Sequence, residues 1–115
     1  MPRAIASNEI LEIVNQVQKF HTEEWLKKRD KAILLLLYGC GLRINEAIQL
    51  NFSDIKNISP ETGVIKILGK GQKERIVPII ERVLFAINDY LNSCPFEIAS
   101  NTPLFIGKRG KRLSP

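Results

Sequence analysis

The chain has 115 residues, 44% hydrophobic and 25% charged, with 17 Lys/Arg against 12 Asp/Glu and a formal net charge of +5. This length bounds it to one domain with a single core. The longest apolar run, Ala32 to Tyr38, is far short of the roughly 20 residues a membrane span needs. Cys40, Cys94 and the single His21 do not have the spacing of a zinc site. Two unpaired thiols without a secretory segment point to a reducing cytosol. The basic excess is uneven: residues 58–115 carry nine Lys/Arg against five Asp/Glu, while residues 1–57 are nearly balanced. Such a surplus is compatible with nucleic acid.

In chain order, Ser7 is placed to cap a first helix carrying Ile10, Leu11, Ile13, Val14, Val17 and Phe20 at helical spacing. His21 to Glu24 breaks the pattern, and Thr22 is read as capping a short turn with Trp25 and Leu26. A second helix is expected from Arg29 through the leucine run to Tyr38. It is apolar on nearly every side, so it should be the central core helix with Tyr38 inside it. Gly39 and Gly41 end it, because glycine permits the left-handed turn that closes a helix. A third helix starts near Arg43 and uses Ile44, Ala47, Ile48 and Leu50.

Asn51 to Asp54 reads as a turn and Ile55 to Ile58 as a short strand. Ser59-Pro60-Glu61-Thr62-Gly63 is a strong turn signal. Val64 to Leu68 and Glu74 to Ile79 read as strands joined by a tight turn over Gly69 to Lys73, with Pro78 ending the second. The expected fold class is therefore α+β, mainly helical: a helix bundle with a small antiparallel three-stranded sheet. Glu81 to Asn92 is a further amphipathic helix. Ser93 to Thr102 is a loop, Leu104-Phe105-Ile106 a short apolar segment, and Gly107 to Arg112 a basic tail without acids. Ser114-Pro115 looks like a helix start, read here as a sign of truncation.

Two cations stand out. Arg43 either pairs with Glu46 three residues on, as surface arginines commonly do, or holds an anion at a helix start with Glu46 steering it. Lys70 sits 27 positions later at a hairpin tip, in Gly69-Lys70-Gly71. This is not a Walker loop: five residues separate Gly63 from Gly69 where four are needed, and Gly71 replaces the Ser/Thr. Gly-Lys-Gly is often turn chemistry alone. A lysine on such a tip also suits a DNA groove, with Lys73 and Arg75 on phosphates. Lys108, Arg109, Lys111 and Arg112 form either a solvated run or a further DNA contact. Tyr90 reads as packing, and His21 as structural or exposed.

Read in series, the segments 29–32, 38–46, 69–78 and 104–114 resemble the tyrosine recombinases, or phage integrase family, and within it the Xer-type enzymes. The resemblance implies that Arg43, in Gly-Leu-Arg-x-x-Glu, is the catalytic arginine and Lys70 the catalytic hairpin lysine. It implies site-specific DNA breakage and rejoining through a 3′-phosphotyrosyl link, on double-stranded DNA, by a tetramer of protomers. It implies no metal, cofactor, membrane or small-molecule substrate. The family also needs a His-x-x-Arg motif, a second His or Trp and a nucleophilic tyrosine. None occurs here in the right context, and the amino-terminal DNA-clamping domain is missing. Residues 1–115 are thus expected to be the first half of a catalytic domain, inert alone. The alternatives are a non-catalytic basic DNA-binding module and a fragment that self-associates through exposed core surface.

Overall fold

The computed structural model describes residues 23–56, 58, 63–69, 71, 73–99 and 101–114. The expected first helix with its Ser7 cap, the Thr22 cap, the turn residues 59–62 and Lys70 lie outside the described residues.

Helix α1 spans Glu24–Gly39. It begins five residues before the expected Arg29, because Trp25 and Leu26 fall one heptad before Ala32 and Ile33 and extend the same buried face. The separate turn at Trp25 is therefore part of the helix. Its first turn is tied locally: the Trp25 indole N–H donates to Glu23 Oε2 at 2.8 Å, and Lys27 pairs with Glu24 at 3.3 Å. The other end closes as expected. Gly41 takes φ 74, and the amides of Cys40 and Leu42 both return to the Leu36 carbonyl at 3.2 Å.

Among the described residues the helix is not enclosed on every side. Leu34 and Leu37 are only half-buried and Tyr38 is 38% exposed, so Tyr38 is not a core residue. Leu34 and Leu37 line an apolar groove of about 290 Å³ with Ile33, Ile44, Ile48 and Leu113. The leucine run is longer than the face that α1 presents to its neighbours, and the surplus borders this groove.

Helix α2, Ile44–Ile48, has only five residues. A 3-10 turn follows at Phe52–Asp54, where the Asn51 amide donates to Asp54 Oδ2 at 2.8 Å. The expected strand at Ile55–Ile58 does not form. The amides of Ile55 and Lys56 return to the Phe52 carbonyl, and that of Ile58 to Ile55, so donors a ladder would need are spent in turns. Among the described residues the sheet has two strands, β1 (Val64–Leu68) and β2 (Glu74–Pro78). They pair antiparallel with Lys66 opposite Ile76 and Ile67 opposite Arg75. Ile65, Ile67 and Val77 face the core, and Pro78 is the last strand residue.

Helix α3, Glu81–Ser93, packs against α1. Lys28 joins the two by pairing with Asp89 at 3.3 Å and donating to Ser93 Oγ at 2.9 Å. Val83, Ile87 and Tyr90 are fully buried beside Leu36, Leu104 and Phe105. Tyr90 stacks at a tilt on Phe105, with centroids 5.5 Å apart. No helix among the described residues is long and apolar enough to cross a membrane.

Candidate DNA-phosphate site

Arg43 is the N-cap of α2, in extended conformation, and its side chain is exposed. Its guanidinium makes no hydrogen bond or ion pair among the described residues. Its backbone N–H donates to Glu46 Oε1 at 2.9 Å. Glu46 therefore caps the helix, as an acid at the third helical position can. No ion pair joins it to the Arg43 guanidinium among the described residues, although the Arg43 charge still helps to lower its pKa; its side-chain partner is another arginine.

That partner is Arg75 on β2, 29 residues away. Arg75 Nη1 donates to Glu46 Oε2 at 2.5 Å and Nη2 to Oε1 at 2.8 Å, a two-pronged ion pair. The Glu46 side chain is 9% exposed and that of Arg75 is 44% exposed, so the guanidinium covers the carboxylate. The Arg75 hydrogen bonds hold the Glu46 carboxyl below the usual carboxylate range, with the Arg43 amide and the charges of Arg75 and Arg43 adding to the effect against the opposing cost of burial.

The hairpin turn begins at this ion pair. Its described flanks are closed by the Gly69 amide donating to the Lys73 carbonyl at 2.8 Å, with Gly71 at φ 71. A β-carbon on Gly69 would lie 3.5 Å from Glu46 Oε2 and 3.6 Å from Arg75 Nη1. The residue immediately before Lys70 thus rests against the pair that begins at the Arg43 cap. Lys73, just beyond Lys70, is exposed.

The basic tail is folded back. Ile106 bridges Arg112, and the Gly107 amide donates to the Lys111 carbonyl at 2.8 Å. Lys108, Arg109 and Lys111 are exposed around this turn. Arg112 is half-buried instead and donates to the carbonyls of Ile48 at 2.9 Å and Leu50 at 3.2 Å, and to Asn51 Oδ1. Its guanidinium anchors the turn to the end of α2. The turn also requires Gly110: φ is 78, and a β-carbon would lie 2.9 Å from the Phe96 ring.

Tyr90 is committed to packing and backbone hydrogen bonds. The buried Tyr90 hydroxyl donates to the Leu104 carbonyl at 2.9 Å and accepts the Ile106 amide at 3.3 Å. Burial raises its pKa well above the ordinary phenol value. Sequence reasoning missed both the Glu46–Arg75 pair and the inward turn of Arg112. A signal existed for the first: strand alternation puts Arg75 on the face of buried Val77, opposite buried Ile67.

Residues 3–115 match the profile of the phage integrase family. The chain belongs to that family. It is 39% identical over all 115 residues to a tyrosine recombinase XerC of Agrobacterium fabrum, and 35% identical to one of Rickettsia bellii. It spans 36% of the length of each. Among solved structures, it is similar to a XerA recombinase, with TM-score 0.67, 25% identity, and coverage of 99% of this chain and 38% of that one. It is also similar to a XerH site-specific recombinase solved in a post-cleavage complex with a palindromic difH substrate. There the TM-score is 0.71 at 25% identity, covering 98% of this chain and 32% of that one.

Proposed function

We propose that this chain supplies the arginine-lysine part of a DNA-cleaving active site, in a site-specific recombinase acting on a DNA duplex. The observation that carries the reading is the exposed guanidinium of Arg43, without a hydrogen bond among the described residues and set on a helix cap linked through Glu46 and Arg75 to Gly69, the residue before Lys70. Family membership supports it.

In the proposed reaction a tyrosine outside the described cations attacks the phosphodiester. The tyrosyl oxygen–phosphorus bond forms and the phosphorus–O5′ bond breaks. Arg43 donates to the non-bridging oxygens as negative charge builds on them; a positioned donor of this kind is worth about 3 kcal/mol in the transition state. Lys70 passes its proton to the departing 5′ oxygen, an assistance worth about 10²–10⁴-fold. The phenol proton passes to a general base of the full-length recombinase. Lys73, Lys108, Arg109 and Lys111 neutralise backbone phosphates, while Arg112 holds their turn in place.

The 115 residues form the first part of a catalytic domain, acting in a cytoplasmic assembly of like protomers on DNA. Taken alone they bind DNA without cutting it. A nicked duplex that traps covalent protein–DNA product tests this. The full-length recombinase is expected to form the adduct and the 115-residue chain is not; adduct from the chain alone would refute the assignment of the nucleophile. A second reading, self-association of the chain, is favoured by exposed Phe85, Ile76 and Leu68. Size-exclusion across protein concentrations separates a monomer from such an assembly.

A further inference from the structure

Arg75 is basic, exposed in part and next to Lys73, which makes it look like one more phosphate contact. Its geometry points elsewhere. Both terminal nitrogens are already on Glu46, at 2.5 Å and 2.8 Å. The same carboxylate accepts the backbone amide of Arg43 at 2.9 Å. Gly69, the residue before Lys70, lies against the pair, and its amide closes the turn on Lys73. Pulling Arg75 away to a phosphate would give up both charge-assisted hydrogen bonds to the carboxylate that also caps α2 at Arg43.

We infer that Arg75 is a positioning residue: through Glu46 it fixes the base of the Lys70 turn relative to Arg43, and it does not itself bind DNA phosphate. The inference rests on the proposed roles of Arg43 and Lys70. A two-pronged guanidinium–carboxylate pair defines direction as well as distance, which a proton donor needs if it is to meet one bridging oxygen. Loss of the pair should leave the proton donor present but misplaced. The defect should then vanish when the leaving group needs no proton.

The test uses the full-length recombinase and two nicked duplexes, one with the ordinary 5′ oxygen and one with sulfur at that bridging position. A thiolate, with a thiol pKa of about 8.5, departs without a proton at neutral pH. Arg75→Gln is expected to slow cleavage of the oxygen duplex by about 10²-fold, as misplacement by an ångström can. The sulfur duplex should be cleaved within about threefold of the unaltered protein's rate, because its leaving group bypasses general-acid help. The salt slope of DNA binding should not change. Equal losses on both duplexes, or a fall in the slope by about one unit, would make Arg75 a phosphate ligand and overturn the inference. So would full activity on the oxygen duplex. Should Arg75→Gln not fold, the near-isosteric Glu46→Gln is held to the same pattern, and equal losses there overturn the inference as well. Arg43→Ala separates the two levels. If it cleaves both duplexes at the unaltered rate, the reading of the site fails. If it is disabled while Arg75→Gln shows no dependence on the leaving group, only the positioning role fails.

Discussion

Replacing Arg112 by alanine separates an anchor from a DNA contact. Its guanidinium donates to the carbonyls of Ile48 and Leu50 and to the side chain of Asn51. The Leu50 carbonyl would keep the Leu104 amide at 2.9 Å, so the Ile48 carbonyl, at the end of α2, takes most of the loss. A hydrogen bond to a charged group contributes about 1.5–3 kcal/mol. The three share one half-exposed group and do not add in full, so the expected destabilisation is about 2 kcal/mol. Urea unfolding followed by circular dichroism measures it, with Lys111→Ala on the same turn as an exposed control expected to stay within about 0.5 kcal/mol. Salt-dependent DNA binding should give the opposite ranking: Lys111→Ala lowers the slope by about one and Arg112→Ala leaves it unchanged. A stable Arg112→Ala protein with a reduced slope would refute the anchoring argument.

Two further outcomes follow from the same geometry. Because the folded Glu46 carboxyl titrates below its ordinary value of 4.5, the stabilisation it gives is complete above that value. It is lost as pH falls through the lower folded pKa. Acid unfolding curves of Glu46→Gln should therefore lack this part of the acid loss, and curves parallel to those of the unaltered chain would contradict it. Gly110→Ala meets both a left-handed backbone and the Phe96 ring. It is expected to cost about 1–3 kcal/mol in urea unfolding, whereas an unchanged midpoint would show that the turn relaxes freely.

The leucine run, the stop at Gly41, the Val64 and Glu74 strands and the Glu81 helix were legible because each depends on local periodicity or on a glycine conformation. The start of α1 was hidden because five charged residues, Lys27 to Lys31, separate Trp25 and Leu26 from the rest of the apolar face that they extend. Ile55 to Ile58 carries strand-like residues at its ends, but its amides are taken by the preceding 3-10 turn. Tyr38 was expected inside because apolar neighbours surround it in sequence; only the packing of α1 decides which flank stays open. The site was legible in its residue types and not in its pairings. Glu46 and Arg75 lie 29 residues apart, and nothing local distinguishes an arginine that meets a carboxylate from one that meets a phosphate. Arg112 is concealed in the same way among like charges.

The most direct measurement compares DNA binding and single-turnover cleavage of a nicked duplex by the full-length recombinase, its Arg43→Ala form and its Lys70→Ala form. Each substitution is expected to lower the cleavage rate by about 10²–10³-fold while binding changes only a few-fold. If binding and cleavage fall together in equal proportion, the two cations hold DNA without acting on the transition state, and the chain is a binding module.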